Sequence, residues 1–237
     1  MKLAIHKSIA ALIAITASSM PAAAQLRVEK RATAPVILGP GQAAIVIGFR
    51  RPDKKSSNKA GSAAFSRYDP IKREVIFQPK NAKKNGDKNT YWVMVKSEDK
   101  TLTRDSAVMV VSAGDYVLFS AMPGTIPLSN TFCLGAPIFH VDAGETVYFG
   151  DFTPYTNLKL VDGERTSAMA YSTHVQESRE ELAKSQPALA RTMKPAVLHN
   201  QATYGCVASM MSAYEVPGVE ALAPAGAAAR GDEPAVP

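Results

Sequence analysis

Short runs of β-branched and aromatic residues, separated by glycine-containing turns, recur along the middle of this 237-residue chain. Residues 43–49 (AAIVIGF) form the first clear run. Residues 107–111 (AVMVV) and 116–121 (YVLFSA) flank one turn, and residues 136–141 (APIFHV) and 145–150 (ETVYFG) flank another. Because such residues favour strands and short turns join neighbouring strands, the pattern predicts a mainly β protein. We expect an antiparallel β-sandwich or open barrel in which each flanking pair forms a hairpin.

Three further segments have weaker strand patterns. Residues 74–78 (EVIFQ) and 91–96 (YWVMVK) are predicted strands on either side of a turn at residues 85–87. Residues 156–161 (TNLKLV) are a predicted edge strand. Adjacent side chains on a strand face opposite sides, so one ring of the pair Tyr148-Phe149 is expected to pack in the core and the other to lie at the surface.

The pattern changes to a helical one after residue 172. Thr173, followed three residues later by Gln176, matches a capping box at the start of a helix over residues 174–185. Pro187 would end that helix, and a second short helical segment is predicted over residues 188–193. Residues 216–237 are rich in Ala, Pro and Gly without an apolar face, and we expect them to be disordered.

The first two dozen residues match a secretory signal peptide. Lys2 and Lys7 precede a short apolar stretch at residues 9–17, and Ala22-Ala23-Ala24 supplies a small-residue cleavage site. The apolar stretch is too short to span a bilayer. The sequence therefore predicts a periplasmic protein, with secretion as the alternative. The predicted organisation is a signal peptide at 1–24, a β-sandwich domain at 25–165, a helical C-terminal appendage at 166–215 and a disordered tail at 216–237.

Charge is unevenly distributed along the chain. Residues 50–104 contain 15 Lys or Arg against 6 Asp or Glu, whereas residues 105–237 contain 7 against 14. Residues 50–61 (RRPDKKSSNKAG) have no apolar periodicity and read as an exposed basic loop. An anionic envelope component is the candidate ligand of this loop, since nucleic acid is a poor partner in the periplasm; simple solvation of the loop is the alternative. The candidate contact residues are Arg50, Arg51, Lys54, Lys55 and Lys59.

The chain has two cysteines, Cys133 and Cys206. In an oxidising compartment an even pair favours a disulfide bond over free thiols. Two buried thiols that never meet are the alternative. A metal site is not expected, because zinc ligands usually come in closely spaced pairs.

No sequence motif identifies a catalytic centre: the chain has no G-x-S-x-G elbow, no phosphate-binding loop and no H-E-x-x-H helix. His140 and Asp142 lie two residues apart on a predicted strand, so their side chains are expected on one face. His199 stands seven residues before Cys206, a combination that nucleophilic catalysis would use if the two side chains met. The sequence predicts no catalytic residues, no cofactor and no metal.

The segments SAGDYVL (residues 112–118) and VDAGETVYFGD (residues 141–151) resemble the Gly-x-Tyr-x-Leu and Ala-Gly-x-x-x-Tyr-x-Gly patterns of small bacterial envelope β-sandwich proteins of unknown function, many of them lipoproteins. The resemblance covers residues 106–162 and implies a fold rather than an activity. This chain differs from that group because it has no lipobox cysteine and carries a helical C-terminal region.

These observations favour an exported envelope accessory or binding protein without catalytic activity. It would offer a sheet edge or an aromatic face to a protein partner or to an anionic envelope component. The alternative hypothesis is a secreted hydrolase that uses His140 or His199.

Overall fold

The computed structural model describes residues 28–30, 34–51, 60–97, 103–124, 131–202 and 211–213. The strands are β1 (Val28–Lys30), β2 (Gln42–Arg50), β3 (Gly61–Asp69), β4 (Glu74–Val75), β5 (Trp92–Ser97), β6 (Arg104–Ser112), β7 (Gly114–Pro123), β8 (Thr131–Leu134), β9 (Ala136–Val141), β10 (Thr146–Lys159), β11 (Arg165–Ser172), β12 (Met193–Pro195), β13 (His199–Ala202) and β14 (Met211–Ala213). Two helices, α1 (Val175–Ser185) and α2 (Pro187–Thr192), lie between β11 and β12.

The strands form two large sheets and one small one. Sheet A has the order β1-β6-β2-β10-β11, and β12 pairs with the start of β10. Sheet B has the order β13-β9-β7-β3-β4, and β5 pairs with β3. Most pairs are antiparallel, but β10 runs parallel to both β2 and β12, and β14 runs parallel to β8. The predicted mainly β sandwich with a short helical C-terminal region is confirmed.

The two large sheets pack face to face around one apolar core. Ile45, Ile47 and Phe49 of β2 belong to the same buried cluster as Phe65 of β3 and Leu118 of β7. These side chains come from both sheets, and each is at most 1% exposed. Removal of this surface from water is the main driving force for joining the sheets.

The helices form a third layer on the outer face of sheet A. Ala44 and Val46 alternate with the core residues of β2 and pack with Leu182 of α1 and Leu189 of α2. Strand β2 is therefore buried on both faces, which explains its almost continuous apolar sequence. No helix in the described part of the chain is long and apolar enough to cross a membrane.

The helical cover also corrects the prediction for the ring pair on β10. Tyr148 and Phe149 are each 1% exposed. Phe149 faces the core between the sheets, whereas Tyr148 packs under the helices. The prediction that one of the two rings lies at the surface was wrong, because α1 and α2 cover the outer face of sheet A, where Tyr148 lies.

The two predicted hairpins are wrong in their pairing. Strand β6 lies in sheet A and β7 in sheet B, and likewise β9 lies in sheet B and β10 in sheet A. Both glycine-containing turns are therefore corners at which the chain crosses from one sheet to the other. The corners are fastened at the start of β2: the Ala113 N–H donates to the Gly41 carbonyl at 2.9 Å, and the Gly144 N–H donates to the Gln42 carbonyl at 2.7 Å.

Strands β4 and β5 lie in the two segments predicted as strands on either side of the turn at residues 85–87. Both pair with β3, which the sequence pattern had not identified. By contrast, β10 and β11 form a true hairpin with its turn at Asp162-Gly163.

Both predicted helices are present, but the predicted capping box is not. Helix α1 begins after His174, which caps it without a side-chain hydrogen bond. Gln176 instead bonds Glu180 and Arg179 along the helix. The predicted appendage of residues 166–215 contains both helices and also strands of all three sheets. Residues 1–24 and 216–237 lie outside the described residues.

Candidate functional site: a cleft around His140

A cleft of about 320 Å³ lies where the edges of the two sheets meet. Strands β9, β13 and the start of β7 supply one wall, and the start of β10 with β12 supplies the other. Its polar lining consists of Asp115, His140, Asp142, Glu145, Lys194 and His199. Its apolar lining consists of Pro70, Ile138, Phe139, Val147, Pro195 and Val197. This mixture of apolar surface and a few polar groups is typical of ligand sites.

Within the cleft, His140 is held between two carboxylates. Its Nδ1 lies 2.9 Å from Asp115 Oδ1, and its Nε2 lies 3.1 Å from Asp142 Oδ1. Asp142 is two residues along the strand direction, so the predicted shared face of His140 and Asp142 is confirmed. Asp115 lies opposite His140 in the β7–β9 register. We name this arrangement the His140 clamp.

The clamp favours the imidazolium form of His140. A carboxylate only accepts hydrogen bonds, so both contacts are satisfied together only when both ring nitrogens carry a proton. The hydrogen bond to Asp115 is the largest cause that raises the pKa of His140 above its ordinary value, and Asp142 adds to it. Neither ring nitrogen is then free to take a proton from a substrate, which removes the usual role of a catalytic histidine.

The turn that carries Asp142 is braced by Glu145. The Asp142 N–H donates to Glu145 Oε2 at 3.1 Å, and the Glu145 N–H donates to the Asp142 carbonyl at 3.1 Å. Gly144 has φ +81°, a conformation that glycine adopts without strain. Glu145 Oε1 also forms an ion pair with Lys194 Nζ. The positive charge of Lys194, on the β12 side of the cleft, is therefore balanced by Glu145.

His199 shares the cleft with the clamp. His199 pairs with Ile138 in the β13–β9 register. Ile138 lies two residues before His140 on β9, so His199 and His140 are on the same face of the sheet. The sequence had offered these two histidines as independent candidates, and the structure brings both to one cleft. Cys206, the suggested thiol partner of His199, lies outside the described residues.

A second polar cluster lies beneath α1, on the other face of sheet A. The fully buried Asp151 accepts from Arg104 Nη2 at 3.0 Å, from Arg50 Nη1 at 3.3 Å and contacts His174 Nδ1 at 3.1 Å. Arg104 also bonds Ser178 and pairs with Glu181, while Arg50 pairs with Glu177 at 2.6 Å. We name these residues the Asp151 network.

The Asp151 network fastens α1 to sheet A. Burial alone would lower the pKa of Arg104, but Asp151 and Glu181 raise it above its ordinary value. The Arg50 hydrogen bond lowers the pKa of Glu177. Burial raises the pKa of Tyr148 to about 12, and its hydroxyl accepts the His174 N–H at 3.0 Å. All these groups satisfy one another within the fold, and the network has the character of a structural tie.

Of the five residues predicted to contact an anionic surface, the structure describes two, Arg50 and Arg51. Arg50 belongs to the Asp151 network, and Arg51 is 1% exposed and bonds Ser97. Lys54, Lys55 and Lys59 lie outside the described residues. Any test of an anionic surface contact therefore rests on these three lysines.

The structure describes only one of the two cysteines of the predicted disulfide. Cys133 lies on β8 and is fully buried. The described part of the chain contains no free cysteine. Cys206 lies outside it, so the pairing of the two stays a prediction.

Sequence reasoning missed Asp115 and Lys194 as members of the site. Neither has a local signal: Asp115 reads as a turn residue and Lys194 as a polar residue beside Pro195. Within the described ranges, no group of three or more His, Cys, Asp or Glu side chains is arranged to hold a metal ion.

Comparison with known proteins adds no identification. No family model matches the chain, and no curated protein or solved structure similar to it was found.

Proposed function

We propose that this protein is a non-catalytic binding module of the cell envelope and that the cleft around His140 is where its partner contacts it. The observation that carries the proposal is the His140 clamp: both ring nitrogens of the best-placed histidine are already bound to carboxylates. The described lining of the cleft contains no serine, threonine or cysteine to act as a nucleophile. A concave site without a catalytic pair suits recognition.

Export is part of the proposal and is supported by the sequence of residues 1–24. Fractionation of cells expressing the full chain with a C-terminal tag tests it. We expect the tagged protein in the periplasm, beginning at Gln25 after cleavage behind Ala24. Retention of residues 1–24 on the mature protein would contradict this part of the proposal.

The bridge between Cys133 and Cys206 follows from the same compartment. It would close a long loop and stabilise the fold by about 4 kcal/mol. Alkylation of the unfolded, unreduced protein followed by mass spectrometry tests it. We expect no labelled cysteine without reductant and two with it, and two labelled cysteines in both cases would disprove the bridge.

Site-specific photocrosslinking tests the cleft as the contact surface. Val197 lines the cleft and is 70% exposed, so it accepts p-benzoylphenylalanine without disturbing the core. Val161, at the exposed tip of the β10–β11 hairpin, is the matched control. We expect irradiation of intact cells to give a discrete adduct from position 197 only. Adducts of equal yield from both positions, or none from position 197, would refute the cleft as the contact site.

An anionic envelope component remains the other candidate partner, through Lys54, Lys55 and Lys59. Replacing the three lysines by glutamine and measuring sedimentation with phosphatidylglycerol vesicles tests it. Arg50 and Arg51 stay unchanged in this variant because both form contacts within the fold. A surface role predicts salt-sensitive binding that the triple variant loses.

The hydrolase hypothesis has one observation in its favour: His140 and His199 share the cleft. His140→Ala combined with His199→Ala tests it against any substrate found by screening ester, amide and phosphate libraries. Complete loss of turnover in the double variant would support catalysis, and unchanged turnover would exclude both histidines.

A further inference from the structure

The cleft around His140 carries an excess of negative charge. Asp115, Asp142 and Glu145 supply three carboxylates, and Lys194 pairs with Glu145. Asp115 and Asp142 then share His140, which offsets at most one of them. Each contacts the histidine through Oδ1, and the Asp115 and Asp142 side chains are 34% and 67% exposed, so both carboxylates are accessible to a ligand.

The floor beside these carboxylates is apolar. Ile138 of β9 and Val147 of β10 line it and are almost fully buried, and Pro195 and Val197 extend the apolar lining along the crossover from β12 to β13. Val197 is 70% exposed, so this apolar surface is accessible from outside. Apolar area next to an acidic rim suits a group with a hydrocarbon stem and a cationic head.

We propose that the cleft binds an arginine or lysine side chain of an exposed segment on a partner protein. This inference rests on the proposed function and names the chemistry of its partner. The methylene stem lies against the exposed Pro195 and Val197, and the guanidinium or ammonium group faces Asp115 and Asp142. The charge of the cleft excludes acidic partners at this place, so an anionic component would have to bind elsewhere.

Protonation of His140 opposes the incoming cation. The titratable groups that line the cleft with His140 are Asp115 from β7, Asp142 and Glu145 from the turn, Lys194 from β12 and His199 from β13, and of these Asp115 and Asp142 contact His140. When His140 loses its proton, the cleft loses one positive charge and its net charge becomes more negative. Affinity for a cation is therefore expected to rise as pH rises through the raised pKa of His140 and to fall with added salt.

Two synthetic peptides test this directly on the full mature chain: acetyl-Gly-Arg-Gly-amide and its citrulline counterpart, which has nearly the same shape without the charge. Titration is followed by histidine ring signals in NMR. We expect the arginine peptide to shift His140 and His199 in a saturable manner while His174, beneath α1, stays unmoved. The citrulline peptide is expected to bind about two- to fivefold more weakly, which corresponds to the free energy of one exposed ion pair.

Charge variants sharpen the test. Asp115→Asn is expected to weaken arginine binding about two- to fivefold, and Lys194→Gln to tighten it by a similar factor because Glu145 is then released. Glu164→Gln, an exposed carboxylate on the β10–β11 hairpin, is the matched control and should change nothing. Equal binding of both peptides, or no shift at His140 at the highest concentration, would overturn the inference.

The outcome is separable from the proposed function. An adduct from position 197 together with equal binding of both peptides would retain the binding module and reject the cationic ligand. Binding of a second copy of this chain through its own basic residues 50–61 would appear as a molecular mass that doubles as the concentration is raised. That result would replace the partner protein as occupant. Failure of both the adduct and the peptide would reject both proposals.

Discussion

Gly48 on β2 lies directly opposite Asp151 on β10, and the absence of a side chain at Gly48 makes room for the Asp151 carboxylate. A Cβ at this position would overlap that carboxylate and lie 3.0 Å from Arg104 Nη2. Gly48, on the largely apolar strand β2, is therefore part of the Asp151 network.

Gly48→Ala is expected to destabilise the protein by about 2 kcal/mol, because the added methyl group displaces a fully buried, hydrogen-bonded carboxylate. Urea denaturation followed by circular dichroism measures the loss. Gly39→Ala is the control: its nearest contact is the flexible Gln42 side chain, and its expected change is within about 0.5 kcal/mol. Equal losses in the two variants would show that Gly48 has no special relation to Asp151.

Asp151→Asn is expected to cost about 3 kcal/mol, since it removes the fully buried counter-charge of Arg104 and leaves only the more exposed Glu181 to pair with it. A double-mutant cycle separates this effect from loss of packing. Combined with Arg104→Met, the loss should be smaller than the sum of the two single losses by about 1–3 kcal/mol. Strictly additive losses in urea denaturation would mean that the two side chains are not coupled.

The sequence predicted the fold class well and the strand pairing poorly. The apolar runs of β2, β7 and β9 identify strands wherever they pair, because the pattern of buried residues is the same in a hairpin and in a sandwich corner. Strand β3 (GSAAFSRYD) was missed because glycine, serine and alanine have low strand propensity. Its small side chains are nevertheless buried in sheet B, between β5 and β7.

The candidate site was only partly predictable for a related reason. His140 and Asp142 are neighbours along one strand, and their shared face follows from strand geometry alone. Asp115 and His199 reach the cleft through pairings across 25 and 61 residues of sequence, and Lys194 arrives from the opposite sheet. Such non-local pairings are set by the whole core and leave no local pattern.

The His140 clamp predicts a measurable titration. The His140 pKa is expected above its ordinary value of about 6.5, and Asp115→Asn should lower it, since the Asp115 hydrogen bond is its main cause. NMR of the histidine ring carbons from pH 5 to 9 measures it. Glu164→Gln should leave the curve unchanged. A His140 pKa at or below 6.5 in the unmodified protein would contradict the clamp.

The sign of the accompanying stability change follows from the raised pKa. The contribution of the His140 clamp to the stability of the folded state is fully present below about pH 6.5. It is lost as pH rises through the folded-state pKa of His140. Because the His140 side chain is 53% exposed, solvent screening limits the effect to less than about 1 kcal/mol. Urea midpoints of the unmodified protein and Asp115→Asn should therefore differ more at pH 6 than at pH 9.

Phe149 is expected to be the most sensitive aromatic residue of the core. Its ring centroid lies 4.9 Å from that of Phe65, 5.3 Å from Phe139 and 5.8 Å from Tyr171, so it contacts rings from both sheets. Phe149→Ala should cost about 3–5 kcal/mol by leaving a cavity that the two sheets cannot close. Phe77→Ala removes the same side chain from a position 62% exposed and should change stability by no more than about 0.5 kcal/mol. Comparable losses for the two variants in urea denaturation would mean that the sheets do not meet at Phe149.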